Sequence, residues 1–306
     1  MTDTPIRIAC LGEAMVELSD LDPQAGRIGF GVAGDTLNTA IYLKRALGGA
    51  AEVSYLTALG DDAFSDHMVR FMEAEALDTS RIARLGGKLP GIYAINLDAK
   101  GERSFTYWRS ESAARSMLAE GALGPDALEG FDLVFLTGIT LAILPAEHRT
   151  RLIAECSRLK ATGRAVAFDT NYRPRLWESE DAAREAFSAM WDATTVALPS
   201  RDDEERLHPD ESVAGLFERL ARKGVQEAAL KDGAAGPHLW AEGQALPRGT
   251  YPPAPEVVDT TAAGDSFNAG YLAARVRHRP VEEAAQAAHA LASQVIGVRG
   301  AILPRG

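Results

Sequence analysis

A run of small residues that ends in an aspartate is the part of the sequence best suited to chemistry. Residues 259–267 read Asp-Thr-Thr-Ala-Ala-Gly-Asp-Ser-Phe and lead into a stretch with helical periodicity. A helix start presents unpaired N–H groups and the positive end of the helix dipole, and Ala262, Ala263 and Gly264 let an anion approach the backbone closely. The segment therefore predicts an anion-binding turn. Taken alone, Asp265 is more simply explained as an acidic residue that caps the helix.

Two further polar segments follow predicted strands. Residues 231–236 read Lys-Asp-Gly-Ala-Ala-Gly, which by itself indicates an ordinary glycine-rich turn. Residues 199–204 read Pro-Ser-Arg-Asp-Asp-Glu, for which a solvated helix start is the simpler interpretation. Neither segment predicts a site without support from the rest of the chain.

Common nucleotide-binding motifs are missing or misplaced. The sequence has no G-x-x-x-x-G-K-[ST], and no G-x-G-x-x-G directly follows the first predicted strand. Residues 29–34 match G-x-G-x-x-G but lie well beyond that strand, so we interpret the match as chance. Cys10 and Cys156 are too few for a disulfide framework and lack the spacing of metal ligands, which fits a reducing compartment.

Composition and charge limit the class of protein. The 306 residues are 46% hydrophobic and 25% charged, as in ordinary globular proteins. The net charge of −11 would repel nucleic acid. The N-terminus shows no basic segment followed by a long apolar stretch, and 18 uninterrupted apolar residues occur nowhere. We therefore expect a cytoplasmic protein that binds neither nucleic acid nor membranes.

Strands and helices are predicted to alternate along most of the chain. Strands are predicted at residues 7–19, 53–59, 133–137, 165–169, 195–199 and 227–231. Helices are predicted at residues 35–47, 61–76, 145–161, 179–193, 264–278 and 281–296, with a further pair before residue 227. Asp35 is suited to cap the first helix. The alternation predicts a single α/β domain over residues 1–306, with a mostly parallel sheet covered by helices on both faces.

A small β unit interrupts this alternation. Residues 92–97 and 103–108 are strand-like and flank Asp-Ala-Lys-Gly-Glu at 98–102, which predicts a hairpin. Residues 20–34 are rich in Gly, Asp and Pro. We assign both regions to an appendage of the main sheet.

These segments together resemble the ribokinase (PfkB) family of carbohydrate kinases. Residues 259–265 are similar to its D-T-x-G-A-G-D signature, with Ala262 in place of the first signature glycine, and residues 231–236 are similar to its K-x-G-x-x-G loop. The resemblance implies a Rossmann-like ribokinase fold, ATP with Mg²⁺, and Asp265 as the base beside an anion hole formed by residues 262–264. It also implies a β lid made from about residues 19–34 and 91–110.

Longer segments narrow the resemblance to the 2-keto-3-deoxygluconate kinases of that family. They are GFGVAGDTLNTA, PGIYAINLDAKGERSFTYWR, GITLAIL, FDTNYRPRLW and DTTAAGDSF, so the similarity spans essentially the whole chain. A six-carbon keto acid as substrate is implied, and guanidinium groups suit its carboxylate. The residues implied for sugar binding are Gly34, Asn38, Tyr93, Tyr107, Arg109, Arg173 and Asp265. Those implied for nucleotide binding are Ser200, Lys231, Gly233, Gly236, Ala262, Ala263, Gly264 and His289.

Some assignments stay open at this point. Ser200 and Asp203 occupy the aligned positions of the N-x-x-E segment that the family links to Mg²⁺ and phosphate, and Glu204 could serve instead of Asp203, but no metal ligand is assigned. The acceptor could instead be fructose, ribose or a nucleoside, and a non-catalytic sugar-binding regulator could keep the same fold. The sequence does not indicate the oligomeric state and leaves a homo-oligomer open. It also does not indicate whether the protein requires a monovalent cation.

Overall fold

The fold is known from a computed structural model that describes residues 5–22, 25–97, 103–124 and 126–305. Within these residues the chain forms a large mixed sheet, a small four-stranded sheet and helices packed on the large sheet. No helix in the described ranges is both long and apolar enough to cross a bilayer.

The large sheet has nine strands in the described part of the chain. In chain order they are β1 (Ile6–Leu11), β4 (Ala51–Leu59), β5 (Ile82–Arg84), β8 (Leu133–Thr137), β9 (Ala165–Asp169), β10 (Val196–Ala197), β11 (Glu227–Leu230), β12 (His238–Ala241) and β13 (Gln244–Ala245). Their spatial order is β13-β12-β11-β10-β9-β8-β1-β4-β5, parallel from β11 to β5 and antiparallel at β12 and β13. The predicted alternation and mostly parallel sheet are confirmed.

The helices follow the strands and cover the sheet. They are α1 (Asp35–Leu47), α2 (Ala63–Ala74), α3 (Gly138–Ile143), α4 (Ala146–Ala161), α5 (Glu180–Asp192), α6 (Arg201–Leu207), α7 (Val213–Arg222), α8 (Ala263–Val276) and α9 (Val281–Val295). Two large hydrophobic clusters of buried residues lie against the sheet, one including Phe168 and Trp191 and the other including Ile41 and Tyr271. Helices therefore pack on both faces, as the apolar runs of the strands require.

The small sheet combines the two regions assigned to the appendage. Its strands are β2 (Met15–Asp22), β3 (Arg27–Ala33), β6 (Gly91–Leu97) and β7 (Arg103–Trp108), in the spatial order β3-β2-β6-β7. β6 and β7 pair antiparallel from Ile92 opposite Trp108 to Leu97 opposite Arg103, which confirms the hairpin strands. The predicted turn at residues 98–102 lies outside the described residues, and the role of the sheet as a lid stays a prediction.

The prediction of a single strand at residues 7–19 was wrong, because the structure has two strands in this region. β1 ends at Leu11 in the large sheet and β2 begins at Met15 in the small sheet. A Cβ at Gly12 would lie 2.3 Å from Thr36 Oγ1, so the chain passes between the two sheets where a side chain would clash. The apolar pattern hides this change because residues on both sides of Gly12 are buried.

The structure also differs from the sequence prediction in several short elements and in the start of one helix. The sequence prediction missed β5, β12, β13 and α3, each of six residues or fewer, because such elements carry too few periods to recognise. The proposed cap at Asp35 was also wrong. Gly34 is the N-cap of α1, and Asp35 is the first helical residue.

Gly34 allows α1 to start directly against the loop that follows β1. A Cβ at position 34 would lie 2.4 Å from the carbonyl oxygen of Glu13, a backbone atom with little freedom to move. Gly34→Ala should therefore lower the free energy of unfolding by about 1–3 kcal/mol, the usual cost of overpacking, measured by urea unfolding.

Gly49→Ala is the matched control for this change. A Cβ at position 49 meets no atom within 4 Å, so stability should change by less than about 0.5 kcal/mol. Equal stability of the two variants would contradict the close approach at Gly34.

Candidate active site

Some of the predicted site residues, including Lys231 and Asp265, lie at the carboxyl ends of the parallel strands, whereas Tyr93 and Tyr107 lie on the small sheet and His289 lies on α9. The chain runs outward from β1 in both directions, to β4 on one side and to β8 on the other, so β1 and β8 flank the switch point of the sheet. In open α/β sheets, ligands bind in the crevice outside this point. Thr137 ends β8 and Asp169 ends β9, and the starts of α1 and α8 meet in the same crevice.

The anion-binding turn precedes α8. Ala262 is the N-cap residue with φ 60° and ψ 15°, in the left-handed region that glycine adopts freely. An alanine there costs about 1–2 kcal/mol, which explains why a glycine suits this position. Gly264 lies beside Lys231, because a Cβ at position 264 would lie 3.7 Å from Lys231 Nζ, an ordinary contact distance. N–H groups of the first helical turn and a lysine ammonium therefore face the same space.

Asp265 lies in the first turn of α8 and is held by α1. Asn38 Nδ2 donates to Asp265 Oδ2 at 2.8 Å, and Thr39 Oγ1 donates to the backbone carbonyl of Asp265 at 3.2 Å. Burial raises the pKa of Asp265 to about 8, with smaller raising effects from the carboxylates of Asp35 and Asp169. The Asn38 hydrogen bond and Lys231 oppose this shift. Asp265 is thus a poorly solvated carboxylate with a strong affinity for a proton.

Lys231 is fixed by two polar side chains. Its Nζ donates to Asp169 Oδ2 at 2.5 Å and to Asn268 Oδ1 at 3.1 Å, and Asn268 Nδ2 in turn donates to Asp169 Oδ2 at 2.7 Å. Asn268 stands one turn after Asp265 on α8. This triad ties the ends of β9 and β11 to the helix that carries Asp265.

The residues predicted for nucleotide binding continue from Lys231 toward α9. Ser200 and Lys231 form a parallel β-bridge. Gly236 has φ 77°, and a Cβ there would lie 2.1 Å from the Tyr251 ring. That ring in turn lies 5.2 Å from the His289 ring, measured between centroids. His289 Nε2 approaches the Pro252 carbonyl oxygen at 2.7 Å.

A cleft of about 740 Å³ opens beside Tyr251 and His289. It is also lined by Pro253, Glu256 and Gly297, and its size is within the range of ligand pockets. Gly233, with φ 50°, is the first residue of the short helical turn between Lys231 and Gly236. Of the predicted nucleotide residues, His289 lines this cleft, and Gly236 adjoins it through the Tyr251 ring.

Tyr93, Tyr107 and Arg109 come from the small sheet. The Tyr93 hydroxyl donates to the Glu17 carboxylate, and the Tyr93 and Tyr107 rings stack with centroids 5.9 Å apart. Arg109 forms an ion pair with Glu13, whose side chain is fully buried. Among the residues that the structure describes, Glu13 Oε1 and Arg109 Nε have no hydrogen-bond partner. Arg109 is thus anchored by a carboxylate of the protein, which fixes the direction of its guanidinium group.

Arg173 follows β9 and is exposed. Its Nη1 donates to the Tyr172 carbonyl oxygen at 3.1 Å. Arg173 and Arg109 both lower the pKa of Asp35, although burial raises it more, so both guanidinium groups lie close to this carboxylate. The two predicted arginines therefore face the same part of the crevice.

Asp203 and Glu204 differ in their surroundings. Asp203 Oδ2 accepts from the Tyr172 N–H at 3.0 Å, and its pKa is raised by burial and by Asp169. Glu204 pairs with Arg219 at 2.6 Å, so its carboxylate is engaged in a structural ion pair. Within the described residues no group of three or more His, Cys, Asp or Glu side chains could hold a metal ion.

Two polar residues of the crevice were missed as site residues by the sequence prediction: Asp169 and Asn171. Asp169 is the last residue of a buried strand, and Asn171 follows it with φ 33°. An acidic residue at the end of an apolar strand was a usable signal, since ligands bind at that edge. Asp35 lies in the segment at residues 34–38 that resembles the substrate-binding part of the family, although no role was assigned to its side chain.

Comparison with known proteins fits this geometry. The family model for "pfkB family carbohydrate kinase" matches residues 6–305. The 2-dehydro-3-deoxygluconokinase of Dickeya dadantii is 44% identical over 310 residues, covering 98% of each chain. That of Escherichia coli K12 is 42% identical, covering 98% of this chain and 97% of the other.

Solved structures share the fold. A Xylella fastidiosa fructokinase with bound ATP superposes with a TM-score of 0.83 at 22% identity, over 96% of this chain and 93% of that one. The small sheet, the crevice and the sequence similarity along almost the entire chain lead to one assignment. The chain belongs to the pfkB family of carbohydrate kinases.

Proposed function

We propose that this protein transfers the γ-phosphoryl group of ATP to the 6-hydroxyl of 2-keto-3-deoxygluconate, a cytoplasmic reaction that yields 2-keto-3-deoxy-6-phosphogluconate and ADP. The observation that carries the proposal is the position of Asp265, which contacts Asn38 on the sugar side and adjoins the anion-binding turn on the other. Relatives of 42–44% identity that bear the 2-dehydro-3-deoxygluconokinase name support this substrate.

Asp265 acts as the general base. Its carboxylate accepts the proton of the 6-hydroxyl as that oxygen forms a bond to the γ-phosphorus, and the bond to the β-phosphate oxygen breaks with its electron pair leaving on ADP. Burial makes Asp265 a stronger proton acceptor than an ordinary aspartate. Asn38 directs one carboxylate oxygen and leaves the other for the substrate.

The nucleotide side of the crevice fits ATP. The cleft beside His289 has room for a base, the turn at residues 262–264 offers N–H groups to phosphate, and Lys231 adds a positive charge next to Gly264. Mg²⁺ bound to the phosphates would neutralise part of their charge, and few protein ligands are needed for that role. Ser200 and the 233–236 turn complete this surface.

The sugar side offers two guanidinium groups to the carboxylate and keto end of the substrate. Arg109 is held by Glu13 and Arg173 by the Tyr172 carbonyl, so both are directed before substrate binds. Tyr93 and Tyr107 form an aromatic wall on the small sheet, and Gly34 keeps the start of α1 close to the crevice. A neutral sugar offers no carboxylate to the guanidinium N–H groups that Glu13 and the Tyr172 carbonyl leave over, which favours the keto acid.

Asp265→Asn tests the base. The amide keeps the size of the side chain but cannot accept the proton, so kcat should fall by about 10² to 10⁴, measured by coupled ADP release. ATP binding, measured by calorimetry, should be retained.

Asp181→Asn is the control, because Asp181 is also a first-turn acid but is exposed on α5 and paired with Arg184. It should leave kcat unchanged. Near-normal kcat in folded Asp265→Asn would refute the assignment of the base.

Arg173→Lys tests the substrate. Lysine keeps the charge but loses the planar two-point fork, so kcat/KM for 2-keto-3-deoxygluconate should fall about tenfold or more, with KM for ATP unchanged. Arg175→Lys, an exposed arginine in the same turn, should have no effect.

The same assay on the wild-type enzyme compares 2-keto-3-deoxygluconate with gluconate, fructose and ribose. The keto acid should be strongly preferred. Equal or better turnover of fructose would overturn the substrate and leave the kinase assignment intact.

The small sheet as a lid is tested by hydrogen exchange. If it closes over the sugar, saturating 2-keto-3-deoxygluconate with a nonhydrolysable ATP analogue should slow amide exchange in β6 and β7. α4, which carries none of the proposed site residues, is the internal control. Unchanged exchange in β6 and β7 would show that the sheet does not close.

A further inference from the structure

Arg248 connects two separate parts of the nucleotide side of the crevice. It follows β13 in the chain, and its Nη2 donates to the carbonyl oxygens of Ala235 and Gly236 at 2.9 and 3.0 Å. Both carbonyls belong to the turn at residues 233–236, between β11 and β12. A planar guanidinium group that donates to two consecutive carbonyls fixes the orientation of both peptide groups, because the two bonds must form together.

The same guanidinium group also contacts the residues that flank this turn. Arg248 Nη2 donates to Asp232 Oδ2 at 3.3 Å, and Arg248 Nη1 lies 3.0 Å from His238 Nδ1. His238 Nε2 and Arg201 Nη1 reach the same Asp232 oxygen at 3.0 and 3.2 Å. Both Nη atoms of Arg248 are therefore engaged by the protein, one side of the turn through Asp232 and the other through His238.

The segment that carries Arg248 also forms a wall of the nucleotide cleft. Three residues further on, the Tyr251 ring lies so close to Gly236 that a Cβ at position 236 would be 2.1 Å from it. Tyr251 lines the 740 Å³ cleft together with His289. Residues 248–251 thus contact the turn at two points, the guanidinium group on its carbonyls and the ring on Gly236, so the turn and the wall are held in one arrangement.

Folding stability alone is a weak reason for these contacts. The Arg248 side chain is 38% exposed, and ion pairs at exposed positions contribute little to folding. The turn contains Gly233 and Gly236 at positive φ, and glycine can adopt many backbone conformations. A turn that is not held would have to be ordered by its ligand, and that loss of conformational entropy would lower the affinity.

We infer that Arg248 is a positioning residue of the nucleotide site, which holds the 233–236 turn and the Tyr251 wall in their binding arrangement before a nucleotide arrives. Because its Nη atoms are engaged by the protein, Arg248 acts through the turn and not by contact with phosphate. The inference rests on the proposed function, in which the cleft beside His289 holds the base of ATP.

Arg248→Ala tests the role of the guanidinium group. KM for ATP should rise about fivefold or more, while kcat and KM for 2-keto-3-deoxygluconate stay within about twofold of the wild type. Calorimetry with ADP and with AMP should show the same fold-loss of affinity for both, because the cleft wall affects the base that the two nucleotides share.

Arg248→Lys separates positioning from a general effect of charge. Lysine keeps the positive charge but cannot donate to two carbonyls and Asp232 in the planar geometry of arginine, so most of the loss of affinity should remain. If Arg248 only attracted the phosphates by its charge, lysine would restore the wild-type affinity. Arg164→Ala is the matched control, since Arg164 is also exposed and paired with an aspartate, Asp132, and should leave all these quantities unchanged.

Hydrogen exchange without nucleotide measures the arrangement of the turn directly. The amides of Ala235 and Gly236 donate to the carbonyls of Asp232 and Gly233 within the turn. In Arg248→Ala these amides should exchange faster than in the wild type, because the turn is no longer held. Exchange in α4 should be the same in both proteins, and the melting temperature should be unchanged.

The outcomes are distinct. If the wild-type enzyme binds ADP and Arg248→Ala binds it within twofold, the inference is wrong and the proposed function stands. A loss for ADP without a loss for AMP would show that Arg248 contacts the outer phosphate, which also overturns the positioning role. If the wild-type enzyme binds no adenine nucleotide, the proposed function fails and the inference with it. An equal loss for both nucleotides with faster exchange in the turn supports the inference.

Discussion

The hydrogen bond from Asn38 to Asp265 joins the N-terminal helix α1 to the C-terminal helix α8 at the proposed site of phosphoryl transfer. It brings the first turns of α1 and α8 together, although 227 residues separate the two side chains. Each helix directs the positive end of its dipole toward the same crevice, so that region favours negative charge. The anion-binding turn, the triad at Lys231 and the small sheet are all arranged around this junction.

The same junction concentrates charge that the protein must balance. Asp35, Asp169 and Asp265 lie close enough to affect one another or a shared neighbour, and Lys231, Arg109 and Arg173 compensate them. Asp169 is neutralised by Lys231, whereas Asp265 is left with an amide partner, Asn38. This difference suits the proposed role of Asp265, because a base must be able to take a proton.

The sequence predicted those structural features that depend on residues near one another in the chain. The small residues at 262–264 and the glycines at 233 and 236 indicated turns, and the structure has positive φ values at Ala262, Gly233 and Gly236. The alternation of strands and helices likewise predicted the parallel sheet. Both kinds of signal depend on neighbouring residues alone.

Features that depend on distant contacts could not be predicted in this way. Asp35 looks like a helix-start acid until Thr137 and Asn171 are placed beside it. The engagement of Glu204 by Arg219 is equally invisible, because the two lie on different helices. The passage of the chain between sheets at Gly12 was hidden because residues on both sides are buried.

Ala262 has two opposite effects on the turn before α8: it strains the backbone and it restricts the conformations of that backbone. Its methyl group is tolerated at φ 60° at some cost in folded stability, yet the same methyl group removes backbone conformations that a glycine would sample. A turn with fewer alternative conformations loses less entropy when an anion orders it. In the proposed role of this turn as a phosphate site, the smaller entropy loss on binding offsets part of the cost of the strain at Ala262.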